Sequence, residues 1–411
     1  MLMSGYRWIR SKMNLYKIDD NSEHVVTVVN SGKLDEDFYK YACDFYEAAE
    51  AVIEHLLGEA AERHEIYKLD LWYFALVYLY RHSLELMLKA GIFRIIRDTG
   101  DRKDIIGEIR HNLKQSFEKL IQICNLEIGE NENAKWLMEY LTDITQFDEK
   151  SDMFRYPSDS EFRTIFWGGG QRNISLIATR SNMNKAYKII KHLCDARNIS
   201  EQNYKAYPPK LIIEGGDYYE QSVIAYRYPC KSFLPYFRSY SMTGKFLQSV
   251  IIDDGKQNLF MPMCYLYRNA IELGLKQIII ENSHIVYDKA LKIVKNKKHS
   301  IYSLWNSIEK EVEKYGNAPP GDTTIENTRQ YIKDFHNQDP HSAMFRYPCD
   351  KNMEPYFVSP IKYDVDNVAS CFEELCNFLD AVNGLLGQIR QYEIEAMIGF
   401  DYHRLTRAHK P

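Results

Sequence analysis

The phrase SDMFRYPSD occupies residues 151–159, and SAMFRYPCD occupies residues 342–350. Phe-Arg-Tyr-Pro puts a cation, two aromatic rings and a proline in four consecutive positions, which is no generic turn or helix. The match extends upstream to Asp148 and Asp339, so the chain writes D-x-x-S-x-M-F-R-Y-P-x-D twice. Proline biases Tyr156 away from the helical conformation, so the phrase is read as a loop that ends a helix.

Working outward, other phrases recur in the same order. YLYRHSLELMLK (78–89) returns as YLYRNAIELGLK (265–276), an offset of 265 − 78 = 187. HNLKQSFEKL from His111 has a weaker partner in HSIYSLWNSI from His299, at 299 − 111 = 188. The FRYP phrases stand 346 − 155 = 191 apart. Ordered matches with slowly growing offsets read as a duplicated domain with short insertions in the second copy. A third Arg-Tyr-Pro at residues 227–229 lacks the upstream Asp, Ser and Met and is read as unrelated.

The periodicity is helical nearly throughout. Residues 1–35 form a mixed N-terminal segment with one short strand expected near 25–32. Residues 36–200 read as a first helical bundle, including a helix opened by His111. Its central helix is apolar almost all round from Leu69 to Leu88, the pattern of a helix inside a bundle. Residues 201–218 read as a linker, with Pro-Pro, a short strand near 210–214 and Gly-Gly. Residues 219–398 repeat the plan, with helices expected near 299–315, 324–335 and 364–396, and 399–411 form a basic tail. The expected fold is all-α: two similar bundles packed as a pseudo-two-fold pair, the covalent counterpart of a homodimer.

The chain has 411 residues, 45% of them hydrophobic, so each half can bury a core of its own. A net charge of −5 argues against a broad nucleic-acid-coating surface but leaves room for a local basic cleft. None of the eight cysteines forms C-x-x-C or a zinc-finger spacing with histidine. Unpaired cysteines in apolar helices fit a reducing compartment. The first residues lack an apolar signal core, and no run of 18 apolar residues occurs. The expectation is a cytoplasmic protein without membrane contact. No Walker loop, GxGxxG, GxSxG, HExxH or EF-hand spacing appears, so no cofactor or metal is expected.

The central helix of each half carries a charged stripe. Arg81, Glu85 and Lys89 fall at i, i+4 and i+8, and Arg268, Glu272 and Lys276 repeat them. Charges on an apolar helix need partners, because an unpaired buried charge costs several kcal/mol. Arg155 is expected to meet Glu85, and Arg346 to meet Glu272, with Asp148, Asp339, Tyr156 and Tyr347 as further members of the network. His111 and His299, each preceded by a basic residue, are candidates for acid–base chemistry on a ribose 2′-hydroxyl. Arginine would stabilise the charge developing at phosphorus. In that reading Arg81, Arg155 and His111, with Arg268, Arg346 and His299, line one composite groove. In the other reading the same residues form a buried structural clamp.

The phrases YRHSLEL-LK, HN-L and D--S-MFRYP-D together resemble the HEPN domain (higher eukaryotes and prokaryotes nucleotide-binding), once over residues 36–200 and again over 215–398. The resemblance implies paired helical bundles with a groove at their interface. It implies an RNA-directed protein of a bacterial defence or stress system, with RNA, a nucleotide or an antitoxin-like protein as partner. Many such proteins are metal-independent endoribonucleases with an Arg, a polar residue and, further on, a His. Arg81-His82 and Arg268-Asn269 match the start of that motif. Residues 86–88 and 273–275, where the second His belongs, are apolar or Gly. An unduplicated Arg329…His336 offers a looser match. Two readings therefore stand: a metal-independent endoribonuclease, or a catalytically silent scaffold or sensor.

Overall fold

The computed structural model describes residues 7–226 and 229–408, with side chains through residue 397. The third Arg-Tyr-Pro, the opening residues read for a signal and the end of the basic tail thus fall wholly or partly outside the described residues. The framework is helical. The first half contributes α1 (Leu34–His55), α2 (Ile66–Leu71), α3 (Tyr73–Ile95), α4 (Thr99–Ile109), α5 (Leu113–Ile123), α6 (Glu132–Asp148) and α7 (Leu176–Ala196). The second contributes α8 (Leu234–Asp254), α9 (Phe260–Gln277), α10 (Tyr287–Lys297), α11 (Ile301–Trp305), α12 (Glu309–Gly316), α13 (Thr324–Gln338) and α14 (Val365–Ala408). No helix among the described residues is long and apolar enough to cross a membrane.

The apolar runs decide the centre. α3 is buried on every side from Tyr73 to Phe93, and α9 from Phe260 to Gln277. α1 lies along α3 and α8 along α9. Local chemistry starts several of the outer helices: Asn112 caps α5 by accepting from the Gln115 N–H, and Ser175 caps α7 by accepting from the Ala178 N–H. Gly91 lets α5 approach α3 closely, because a Cβ there would meet the Leu120 methyl at 2.9 Å. One apolar core runs through both halves, from Ile9 to Leu386.

Four short strands among the described residues tie the halves together. β1 (Val25–Val28) pairs antiparallel with β4 (Ile361–Asp364), and β2 (Arg172–Ser175) with β3 (Gln221–Ile224). The strand leading into α1 therefore pairs with the strand leading into α14. The strand leading towards α8 pairs with the one leading into α7.

Two expectations need correction. The strand placed near 210–214 lies instead at Gln221–Ile224. Asp143 takes the Leu211 N–H (2.8 Å), and Gly215 and Gly216, at φ 114° and 107°, turn the chain, so Glu214 makes only an isolated bridge to Ile174. The helix expected over 299–315 is two helices, α11 and α12, separated at residues 306–308.

Candidate functional site

The charged stripe on α3 points inward. Arg81 donates to the His111 carbonyl (2.9 Å) and the Asp148 carbonyl (2.8 Å), and its Nε lies 2.9 Å from the Asp148 carboxylate. One guanidinium thus joins the middle of α3, the α4–α5 turn and the end of α6. Arg268 on α9 repeats this, donating to the His299 carbonyl (2.8 Å) and the Asp339 carbonyl (3.2 Å). Each arginine also stands beside the glutamate one turn on, at 3.3 Å for Glu85 and 3.5 Å for Glu272.

The two aspartates build the FRYP loops. Asp148 Oδ1 accepts from the Asp152 and Met153 N–H groups, and Asp339 Oδ1 from those of Ala343 and Met344. Ser151 and Ser342 take left-handed φ of 61° and 56°. Arg155 Nε closes the first loop on the Ser151 carbonyl (2.5 Å), and Arg346 Nε closes the second on that of Ser342 (2.6 Å). Arg155 also pairs with Asp152 of its own loop at 2.8 Å.

The expected pairing of Arg155 with Glu85 and of Arg346 with Glu272 is therefore replaced. The arginines clamp their own loops, and the tyrosines beside them cross to the opposite half. Tyr156 donates to Glu272 Oε1 at 2.9 Å, and Tyr347 donates to Glu85 Oε1 at 2.9 Å. The composite groove lined by arginines is corrected too. Arg81, Arg268, Arg155 and Arg346 are all buried.

Around each glutamate the same set assembles. Lys89 donates to Glu85 at 2.6 Å and Lys276 to Glu272 at 2.7 Å. His111 Nδ1 lies 3.0 Å from Glu85, and His299 Nδ1 lies 3.0 Å from Glu272. Burial pushes both carboxyls up, but the adjoining lysine and histidine more than reverse it, and both sit well below 4.5. Glu85 and Glu272 are thus ionised acceptors. Each fixes a histidine through Nδ1–H and leaves Nε2 as the free base.

The two rings remain reachable, at 39% exposure for His111 and 38% for His299. Glu85 raises the pKa of His111, but burial with Lys89 and Arg346 outweighs it, and the net value falls below 6.5. His299 follows suit, with Lys276 and Arg155 as the opposing cations. The residue before each histidine is strained in the same way: Arg110 has φ 46° and ψ −106°, Lys298 has φ 49° and ψ −108°.

The remaining candidates are placed apart from these sets. His82 is buried, bonds the Arg346 carbonyl at 3.0 Å and is pushed down to about 3 by burial, so it is a neutral strut for the second FRYP loop. Asn269 holds the matching position on α9. Arg329 pairs with Glu309 (2.6 Å) and Glu313 (3.5 Å) on α12 with a side chain 40% exposed. His336 stacks with Tyr302 at 6.1 Å.

His299 opens on a substantial cleft. His299, Tyr156, Lys276, Lys295, Lys298 and Asp152 line a cavity of about 380 Å³. Lys295 is held by Glu161 at 3.2 Å, and Lys276 lies over the Tyr156 ring at 4.5 Å. Reading the sequence missed Lys295 and the acidic side chains Asp159 and Glu161 that also line the cavity. The lysine-rich run over residues 289–298 was the available signal, but exposed helix faces carry such runs routinely. Among the described residues, no group of three or more His, Cys, Asp or Glu is arranged to hold a metal ion.

The chain was compared with models of protein families, with curated proteins and with solved structures, and nothing matched in any of the three.

Proposed function

We propose that the chain is an RNA-directed, metal-independent endoribonuclease of a bacterial defence or stress system, built as a duplicated HEPN-like pair, and that it works at the His299 cleft. The observation that carries this reading is the His299 ring. Its Nδ1–H is fixed on buried Glu272, and its ring lines a cavity that also holds three lysines. In this reading His299 Nε2 takes the proton of a ribose 2′-hydroxyl. The 2′ oxygen bonds to phosphorus, the bond from phosphorus to the 5′ oxygen breaks, and that oxygen takes a proton from solvent. Lys276, Lys295 and Lys298 offset the charge that builds on the phosphoryl oxygens. The products are a 2′,3′-cyclic phosphate and a 5′-hydroxyl. Tyr156 and Arg268 act through Glu272 and the His299 carbonyl, and so are positioning residues.

A second reading, a catalytically silent scaffold, is favoured by the arginines, which are buried and bonded to backbone carbonyls in both halves. Cleavage of single-stranded RNA in EDTA separates the two. The nuclease reading expects cyclic-phosphate ends from the wild type and a loss of about 100-fold or more in His299→Gln with an unchanged circular dichroism spectrum. Absence of cleavage by the wild type, or equal cleavage by the variant, favours the scaffold.

A further inference from the structure

The His299 cleft does not end at its lysines. Ser158, Phe162 and Phe233 form a wall common to it and to a second cavity of about 460 Å³. The two ends differ in chemistry. The first carries the histidine and three lysines. The second is framed by Phe162, Phe233, Tyr287 and Ile165, with Lys231 at its rim and Arg390 beside it. The Arg390 guanidinium is fixed by the carbonyls of Glu281 (2.9 Å) and Ser283 (3.2 Å). Glu281 itself accepts from the Phe233 N–H (2.6 Å) and from Ser232 (3.1 Å), which locks the aromatic wall in place.

We propose that this second cavity is a nucleobase subsite, holding the base of a nucleotide next to the phosphate that lies at His299. The inference rests on the ribonuclease reading above and adds to it the place where a base is held. A basic groove continuous with aromatic side chains is how proteins hold single strands, because every base has a face that stacks. A duplex, with its bases already stacked on each other, offers no free face to this wall. The occupant is therefore an unpaired base.

Tyr287 is the residue to change, since it is 51% exposed and its removal leaves the core intact. Binding is measured by fluorescence anisotropy in EDTA, using a short single-stranded RNA with 2′-O-methyl riboses to block cleavage. A second series lacks the base at one position at a time. Wild type is expected to lose about tenfold in affinity at one particular abasic position, and Tyr287→Ala about tenfold on the intact strand. The two losses should not add when combined, because they remove the same contact. Equal affinity of wild type and Tyr287→Ala, or fully additive losses, overturns the subsite. If cleavage still depends on His299 in that case, the ribonuclease reading survives without it. If the wild type neither binds nor cleaves RNA, both fall together.

Discussion

At His111, the carboxylate of Glu85 gathers a lysine, a histidine and a tyrosine from the opposite half. At His299, Glu272 gathers the same three residue types, and the histidine and tyrosine distances are the same in both halves, 3.0 Å and 2.9 Å. The rims differ. Counting from the two histidines, Lys295 falls where the first half has Gly107. Counting from the two FRYP arginines, Asp152 falls opposite Ala343, and Ser158 opposite Cys349. The interiors are alike because buried charges tolerate few arrangements: each must be paired on all sides or it destabilises the fold. The rims are free to diverge because solvent satisfies whatever stands there. A function confined to one half is therefore to be sought at the rim.

The largest effects should be those that treat both interiors alike. Replacing Glu85 or Glu272 by Leu leaves a buried lysine and a tyrosine hydroxyl without their acceptor. Each change should cost about 3–5 kcal/mol in urea unfolding, nearly equally. A cost below about 1 kcal/mol at either site would show that the carboxylate is not the hub of its set. Activity should then divide the pair. His299→Gln is expected to lower kcat/KM on RNA by about 100-fold or more, and His111→Gln by much less. Equal losses would mean that both rims are productive. Because burial and nearby cations lower the His299 pKa, the acid limb of wild-type kcat/KM should have its midpoint below pH 6.5.

His82 gives a pH test of the same comparison. Its pKa is pushed down to about 3 in the folded protein, so the folded state binds fewer protons than the unfolded chain below pH 6.5. Its contribution is complete above pH 6.5 and is lost as the pH falls towards 3. Asn269, its counterpart, has no such titration. His82→Asn should therefore remove about 2 kcal/mol of the stability lost between pH 7 and 5. Parallel curves for variant and wild type would refute that role.

Smaller effects should follow from exchanging the rims. Lys295→Gly should raise KM for RNA by several-fold, reduce the salt dependence of binding by about one counterion, and cost no more than about 1 kcal/mol of stability, that of a glycine in α10. An unchanged salt slope would remove Lys295 from the phosphate site. Smallest of all, Ala343→Asp gives Arg346 the partner that Arg155 has in Asp152, and should stabilise the fold by about 1 kcal/mol or less.

Much of this was legible in the sequence. The all-α framework follows from apolar periodicity, since burying one face of a helix is a local pattern repeated every turn. Glu85 and Lys89 were readable as neighbours because four residues is one helical turn. Asp148 and Asp339 could be assigned to the FRYP loops because they stand at a constant distance from them. The short strand near 210–214 was misplaced because four-residue strands carry almost no pattern of their own, and their position is decided by the partner strand.

What the sequence alone determined, then, is what depends on spacing along one chain: helices, caps, the charged stripe and the repeated loop. The tertiary structure alone decided which half each loop serves. Both carboxylates are equivalent in sequence terms, so Tyr156 had two chemically identical acceptors, Glu85 and Glu272. The choice is made by packing. The loop carbonyls of Met153 and Phe154 are held by Tyr236 and Tyr240 of α8, in the second half, which carries Tyr156 to Glu272.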